Sequence, residues 1–158
     1  MRSKRPMRPR QSKRLVAAHS CLAFALRKAA RKITRVYDAA LRPTGLRLTQ
    51  FNVLGVLDAM GPVGTVALAE QLAIERTTLT RNLAVLARLG WVKIVAGEDR
   101  RWRNASITVK GQAAALRAFP AWQRADRAMR ERLGSKRSKF VADLSRLLAP
   151  GSRNSTRP

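Results

Sequence analysis

Short hydroxyl and guanidinium side chains are concentrated between residues 76 and 90, in the sequence R-T-T-L-T-R-N-L-A-V-L-A-R-L-G. These groups form hydrogen bonds with phosphate oxygens and base edges, and no carboxylate in the stretch would repel a polyanion. At about 100° per residue, Thr77, Arg81, Ala84 and Arg88 fall on one side of a helix. This side has the chemistry to approach a nucleic acid closely.

The other side of the same helix carries Leu79, Leu83, Leu86 and Gly90 and can be buried. Ordinary amphipathic surface helices have the same division, so a solvated polar face is the alternative interpretation.

The charge of the chain favours a polyanionic partner. Lys and Arg number 33 against nine Asp and Glu, which gives a formal net charge of +24. Such a balance indicates nucleic acid, an acidic membrane surface or an acidic protein. Because phosphate contacts do not read bases, charge alone also fits a non-specific architectural nucleic-acid-binding protein.

Several classes of protein are disfavoured by the residue inventory. A single cysteine, Cys21, excludes an intrachain disulfide, and a single histidine, His19, leaves no Cys/His set for structural zinc. No apolar run approaches the roughly 18 to 20 residues of a membrane span. No nucleophile–base motif, catalytic carboxylate pair or glycine-rich phosphate loop is present. The sequence predicts a cytoplasmic, nucleoid-associated protein that is not an enzyme and needs no cofactor or metal.

The elements that precede the polar helix form a helical series. Residues 1–14 contain seven Lys and Arg and no acid, which predicts a disordered basic arm that either contacts DNA or is only a solvated tail. An apolar stripe predicts a long helix from about Val16 to Leu41, of a length that suits pairing with another subunit.

Thr49 is the predicted N-cap of a second helix, which Gly61-Pro62 ends. Thr65 is the predicted cap of a short third helix, and after a break at Ile74-Glu75 the third and fourth helices form a helix-turn-helix.

A basic hairpin is predicted directly after the polar helix. Strands at Trp91–Val95 and Asn104–Thr108 flank the tip G-E-D-R-R-W-R. A narrow ribbon carrying Arg100, Arg101 and Arg103 can straddle a phosphate backbone and reach a minor groove. A helix-turn-helix followed by such a hairpin is a winged helix, although a solvated tip is the alternative for the arginines.

Two helices are predicted after the hairpin. Thr108 caps the first, which opens near Val109, and Pro120 is expected to kink or divide it. Gly134-Ser135 separates it from a final amphipathic helix that ends at Pro150-Gly151. The apolar side of that last helix comprises Phe140, Val141, Leu144, Leu147 and Leu148.

Three stretches of the chain together resemble the MarR family of transcriptional regulators. They are T-T-L-T-R-N-L at residues 77–83, L-G-W-V at 89–92 and D-R-R-W-R-N-A-S-I-T-V-K-G at 99–111. The resemblance covers about Cys21 to Ala149 and implies a mainly α fold with a small β-hairpin wing. It implies a helical dimerisation region at residues 15–47 and 112–150 and a winged helix-turn-helix DNA-binding lobe at 48–111. The sequence beyond them, at 151–158, is predicted to be a disordered tail.

The resemblance also assigns roles in DNA binding. Thr77, Thr78 and Arg81 would face the major groove, and Arg101 would enter the minor groove with Asp99 orienting it; the alternative for this pair is a generic exposed ion pair. The sequence departs from the family at Glu75, a poorer helix cap than the usual Asp, and at Trp102, which either packs across the hairpin or lies against the DNA backbone. The other predicted DNA-contacting residues are Thr65, Arg76, Arg88, Arg100 and Arg103.

The sequence also offers predictions about regulation. Aligned on R-K-I-T-R-V-Y, the reactive cysteine of the family's peroxide-sensing branch falls at Ala23, so Cys21 is expected to be a small buried residue, and redox sensing through it is an alternative. The resemblance otherwise suggests a small aromatic or anionic effector, in a pocket formed by His19, Arg27, Phe51 and Trp122. Aromatic residues at helical spacing are more often plain core, which is the alternative interpretation.

Together these observations predict a homodimeric repressor that binds a pseudo-palindromic DNA duplex, with one recognition helix per half-site. The effector would favour a spacing of the recognition helices that no longer matches the half-sites.

Overall fold

The computed structural model describes residues 21–96, 103–134 and 136–147. The chain divides into two compact units, residues 1–35 and 36–158. The predicted basic arm, the C-terminal tail and the tip of the hairpin lie outside the described residues, as do His19, Asp99, Arg100, Arg101 and Trp102.

The described residues are mostly helical, with one small sheet, as predicted. In chain order the elements are α1 (Leu22–Leu41), a 3-10 helix (Arg42–Thr44), α2 (Leu48–Met60), β1 (Val63–Gly64), α3 (Thr65–Gln71), α4 (Arg76–Arg88), β2 (Val92–Ala96), β3 (Arg103–Ile107), α5 (Val109–Leu133) and α6 (Lys136–Leu147).

The sheet has three antiparallel strands in the order β1-β3-β2. Ala105 lies at its centre, opposite Val63 on one side and Ile94 on the other, and is fully buried. The pairing of β2 with β3 confirms the predicted hairpin. Strand β1 was not predicted, because two residues are too short to show an alternating pattern.

The hydrophobic core lies in the second unit and joins α2, α3, α4 and the sheet. Helix α2 contributes Val53, Leu54 and Leu57, which are completely buried. Burial of each such side chain contributes about 1.5–3 kcal/mol. The core therefore fixes α4 on its buried side and leaves the other side exposed.

Two predicted helix caps are wrong by one or two residues. Helix α2 begins at Leu48, and its N-cap is Arg47 rather than Thr49. The amide of Leu48 donates to the Asp38 carboxylate of α1 at 2.7 Å, and the amide of Arg47 donates to the Gln50 side chain at 3.0 Å. These two bonds satisfy the amides of Arg47 and Leu48 and fix the start of the helix at Leu48.

Thr65 is likewise the first residue of α3 and not its cap. Gly64 occupies the cap position in an extended conformation, because it pairs with Asn104 in the sheet.

Pro120 was predicted to kink or divide the next helix, and the division is wrong, since α5 runs from Val109 to Leu133 through it. Pro120 leaves the carbonyl of Leu116 without its usual helical donor. Both residues are exposed, so water can satisfy that carbonyl, while Ala118 and Ala121 pack the buried side. The predicted break at Gly134 is confirmed.

Across the described ranges, no helix combines the length and the apolar character needed to cross a membrane.

Candidate nucleic-acid interface

Helix α4 presents the two sides that its sequence predicts. Leu79 and Leu83 are 2% exposed and Leu86 is completely buried. The helix ends earlier than predicted: Leu89 is its C-cap, and Gly90 adopts the left-handed conformation at φ 71°. Gly90 therefore terminates α4 and does not belong to the buried stripe, which agrees with the preference for glycine after a helix.

The opposite side of α4 is exposed to solvent. Thr77, Arg81, Ala84 and Arg88 are all exposed, as are Arg76 and Thr78. Between described residues the ion pairs are Arg130–Asp126 and Arg146–Asp143, so these carboxylates do not neutralise the α4 arginines. The guanidinium groups are thus available for phosphates or base edges.

The start of α4 is settled at Arg76. Glu75 is the N-cap residue in an extended conformation, and its side chain makes no capping hydrogen bond. Thr77 and Thr78 therefore lie in the first turn, on the exposed surface. Thr65, predicted to contact DNA, is half-buried at the start of α3.

The turn between α3 and α4 depends on one residue with an unusual backbone conformation. Ala73 has φ 50°, in the left-handed region that favours glycine. The amide of Ile74 donates to the carbonyl of Ala69 at 3.0 Å, which closes the end of α3. This tight turn fixes the direction in which α4 leaves α3.

Strands β2 and β3 form the base of the wing behind α4. Arg103 is exposed at the start of β3, opposite Ala96 at the end of β2. It is the described member of the predicted arginine cluster. The roles of Arg100, Arg101 and Asp99, and the packing of Trp102, stay predictions.

Hydrogen bonds link the end of α4 to the wing and to the start of α5. Of these contacts, the sequence predicted only the capping of α5 by Thr108. The Thr108 hydroxyl accepts from the amide of Gly111 at 3.0 Å, and it also donates to the carbonyl of Gly90 at 2.7 Å. The amide of Thr108 donates to the carbonyl of Trp91 at 3.0 Å. We call Gly90, Trp91, Thr108 and Gly111 the Thr108 joint.

A cavity of about 310 Å³ lies between α2 and α5. Phe51 and Trp122, both predicted to line a pocket, stack with ring centroids 5.7 Å apart, and Phe119 stacks on Trp122 at 5.5 Å. At its edge Gln112 donates to Asp58 at 2.8 Å, a pair that sequence reasoning missed. Arg27 is an exposed residue of the other unit, and its role in a pocket stays a prediction.

Cys21 is exposed, so the expectation that it is buried is wrong. It directly precedes α1, at the end of the helix where backbone amides have no acceptor within the helix. Hydrogen bonds from the backbone amides of Phe24 and Ala23 lower the pKa of the Cys21 thiol, and the charge of Arg27 lowers it further. These groups favour the thiolate form.

Comparison with known proteins identifies the family of this chain. A family model described as the MarR family matches residues 44–101, from the 3-10 helix into the wing. The crystal structure of the Mycobacterium tuberculosis transcriptional regulator MosR in complex with DNA is 38% identical, with a TM-score of 0.71. That match covers 80% of this chain and 94% of MosR. The chain belongs to the MarR family.

Two further proteins are similar to this MarR-family chain. An uncharacterised HTH-type transcriptional regulator of Bacillus subtilis, YwoH, is 31% identical over 87 residues, which make up 55% of this chain and 64% of YwoH. Bordetella bronchiseptica BpsR, whose DNA binding is regulated by 6-hydroxynicotinic acid, is 19% identical over 84% of this chain and 96% of BpsR, with a TM-score of 0.73. BpsR therefore shares the fold.

Proposed function

We propose that the protein is a sequence-specific transcriptional regulator that binds double-stranded DNA. The observation that carries this proposal is α4, whose leucines are buried while its arginines and threonines form an exposed side without a carboxylate. The similarity to MosR, which was crystallised in complex with DNA, supports the same function.

In this proposal α4 is the recognition helix and enters the major groove. Thr77, Thr78 and Arg81 contact base edges, while Arg76 and Arg88 contact phosphates at the two ends of the helix. The wing lies against the flanking minor groove through Arg101, with Arg100 and Arg103 beside it.

The matched variants Arg81→Ala, Arg101→Ala and Arg124→Ala test these assignments. Each removes one positive charge, but Arg124 is an exposed residue of α5 outside the DNA-binding lobe. On duplexes selected from a random pool, Arg81→Ala is expected to relax base preference at one position per half-site, with a loss of about 1–3 kcal/mol of discrimination. Arg101→Ala is expected to weaken binding to all sequences, and Arg124→Ala to preserve base preference.

Equal binding by the parent protein and the variants of both DNA-binding arginines would refute the assignment. The rival function is a non-specific architectural protein, for which the net charge of +24 is the supporting observation. Footprinting in the presence of competitor DNA separates the two functions. A protected palindrome supports the regulator, whereas uniform coating supports the rival.

We propose that the regulator acts as a homodimer. Large apolar side chains on α5 and α6 are exposed in the isolated chain, and a second copy would cover them. They are Leu116, Phe119, Leu133, Phe140 and Val141. Sedimentation of the parent protein and of Phe140→Glu tests this: a dimer that dissociates in the variant supports the proposal, and a monomeric parent contradicts it.

We propose that the cavity between α2 and α5 binds an effector that releases a repressor from its operator. Among the described residues that line it, Asp58 is the charged one, and the aromatic rings of Phe51 and Trp122 form its wall. This lining suits an aromatic effector better than an anionic one. An occupant that binds the Asp58 carboxylate replaces the side-chain amide of Gln112, a residue near the start of α5, as its partner.

Benzylamine and benzoate serve as probes of opposite charge for this cavity. Benzylamine is expected to quench Trp122 fluorescence and lower the affinity for the selected duplex, and Asp58→Asn is expected to weaken its binding. The variant Trp122→Phe, which lacks the tryptophan of the cavity, identifies the part of the fluorescence that comes from Trp122. Tighter binding of benzoate than of benzylamine would refute the proposed chemistry.

Redox regulation through Cys21 is a second candidate, favoured by the exposure of this thiol and its lowered pKa. The thiolate would attack a hydroperoxide oxygen, forming a sulfenic acid and releasing the alcohol. A peroxide-dependent loss of DNA affinity that disappears in Cys21→Ser supports this function, and an unchanged response in that variant excludes it.

A further inference from the structure

The Thr108 joint fastens together the three elements that would contact or control DNA. Gly90 ends α4, Trp91 directly precedes β2, and Thr108 directly precedes α5. One hydroxyl group, on Thr108, bonds both the carbonyl of Gly90 and the amide of Gly111, at 2.7 and 3.0 Å. The side chain therefore connects the end of α4 with the start of α5 directly.

The Thr108 joint is also too closely packed for the first turn of α5 to shift along the backbone of Trp91. A Cβ atom built on Gly111 would lie 2.0 Å from the carbonyl oxygen of Trp91, so the first turn of α5 rests on the backbone before β2. The amide of Thr108 donates to that same carbonyl at 3.0 Å. Short contacts between two backbones allow the two segments less relative movement than contacts between long flexible side chains do.

We infer that Thr108 is a positioning residue for DNA recognition, an inference that rests on the proposed function. Base edges are read only when the recognition helix is held to within about 0.5 Å of its productive position. Contacts between flexible arginines and phosphates tolerate larger displacements. Loss of the Thr108 hydroxyl hence reduces specific binding more than non-specific binding.

Four variants separate this role from a general loss of stability. Thr108→Val removes the hydroxyl, and Thr108→Ser keeps it. Thr108→Asp keeps an acceptor for the amide of Gly111 and so preserves the cap of α5. It has no donor for the carbonyl of Gly90. Thr44→Val is the matched control, because the Thr44 hydroxyl donates to the carbonyl of Leu41 at 2.7 Å, at the end of a different helix.

The measurement is the ratio of affinities for a selected duplex and a scrambled duplex of the same length, at one salt concentration. Comparing ratios cancels the uniform effect of the charge that Asp adds. Amide hydrogen exchange at Gly111 reports, without DNA, whether the cap of α5 persists in each variant.

Thr108→Val and Thr108→Asp are expected to lower the ratio about tenfold, the size of one lost base contact, whereas Thr108→Ser and Thr44→Val stay within about twofold of the parent. Retention of the parent ratio by Thr108→Asp, with Gly111 still protected, overturns the inference alone. A parent protein that does not distinguish the two duplexes overturns the proposed function and the inference with it. If Thr108→Val does not fold, Thr108→Asp decides the outcome.

Discussion

Replacement of Gly111 by alanine is the most direct stability test of the Thr108 joint. Gly111 is buried in the first turn of α5, and its Cα faces the backbone of Trp91. The new Cβ would lie 2.0 Å from the carbonyl oxygen and 2.8 Å from the carbonyl carbon of Trp91. Because such contacts are not tolerated below 3.0 Å, the two backbones must separate.

The sign of the change in stability follows from one stabilising and two destabilising contributions. Alanine is favoured over glycine inside a helix by about 1 kcal/mol. Overpacking of a rigid contact costs about 1–3 kcal/mol. Movement of Gly111 also weakens its bond to the Thr108 hydroxyl, and loss of an N-cap costs about 1 kcal/mol. We therefore expect a net destabilisation of about 1–3 kcal/mol.

Gly55→Ala is the matched control for this substitution. Gly55 also lies within a helix, but apart from its chain neighbours and the backbone of its own helix no atom lies within 4 Å of a Cβ built there. Only the helix preference applies, so this variant is expected to gain about 0.5–1 kcal/mol. Urea unfolding at one fixed protein concentration measures both changes, since the stability of a dimer depends on concentration.

The result for the pair decides whether the close contact is real. A Gly111→Ala variant as stable as Gly55→Ala would mean that α5 does not rest on the Trp91 backbone. The rigidity assigned to the joint would then have no basis.

Three further predictions concern other parts of the chain. Tyr37→Phe removes the bond from the tyrosine hydroxyl to Asp126, which is 2.9 Å long and partly buried, and is expected to cost about 1 kcal/mol in the same unfolding assay; an unchanged stability would contradict a structural role for this bond. Ala73→Gly relieves a left-handed alanine and is expected to stabilise the protein by up to about 1 kcal/mol, whereas destabilisation would mean that Ala73 does not adopt φ 50°. The thiol of Cys21 has a lowered pKa, so its rate of alkylation should reach half its plateau at a lower pH than that of an unstructured cysteine peptide; coincident profiles would contradict the amide hydrogen bonds at Phe24 and Ala23.

Periodicity predicted which side of α4 is buried, because Leu79, Leu83 and Leu86 recur at the helical repeat and nothing distant changes that pattern. The hairpin was predicted for a similar reason, since both of its strands are close in sequence. Thr108 was recognised as a cap from its own residue type. These features depend on local information.

The features that were missed depend on partners distant in sequence. Thr49 was preferred as a cap because the pattern could not reveal that Asp38 reaches the amide of Leu48. The donation from Thr108 to Gly90 spans 18 residues, and the pair between Gln112 and Asp58 spans 54. Each requires the tertiary arrangement.

Selection of bound sequences from a pool of random duplexes tests the central claim most directly. A homodimer with one α4 per half-site is expected to enrich an inverted repeat, with half-site centres roughly one helical turn, about 10 base pairs, apart. The enriched duplex should compete far better than a scrambled one at the same salt concentration. A pool that shows no enrichment, with uniform coating of every duplex, would contradict sequence-specific recognition by α4.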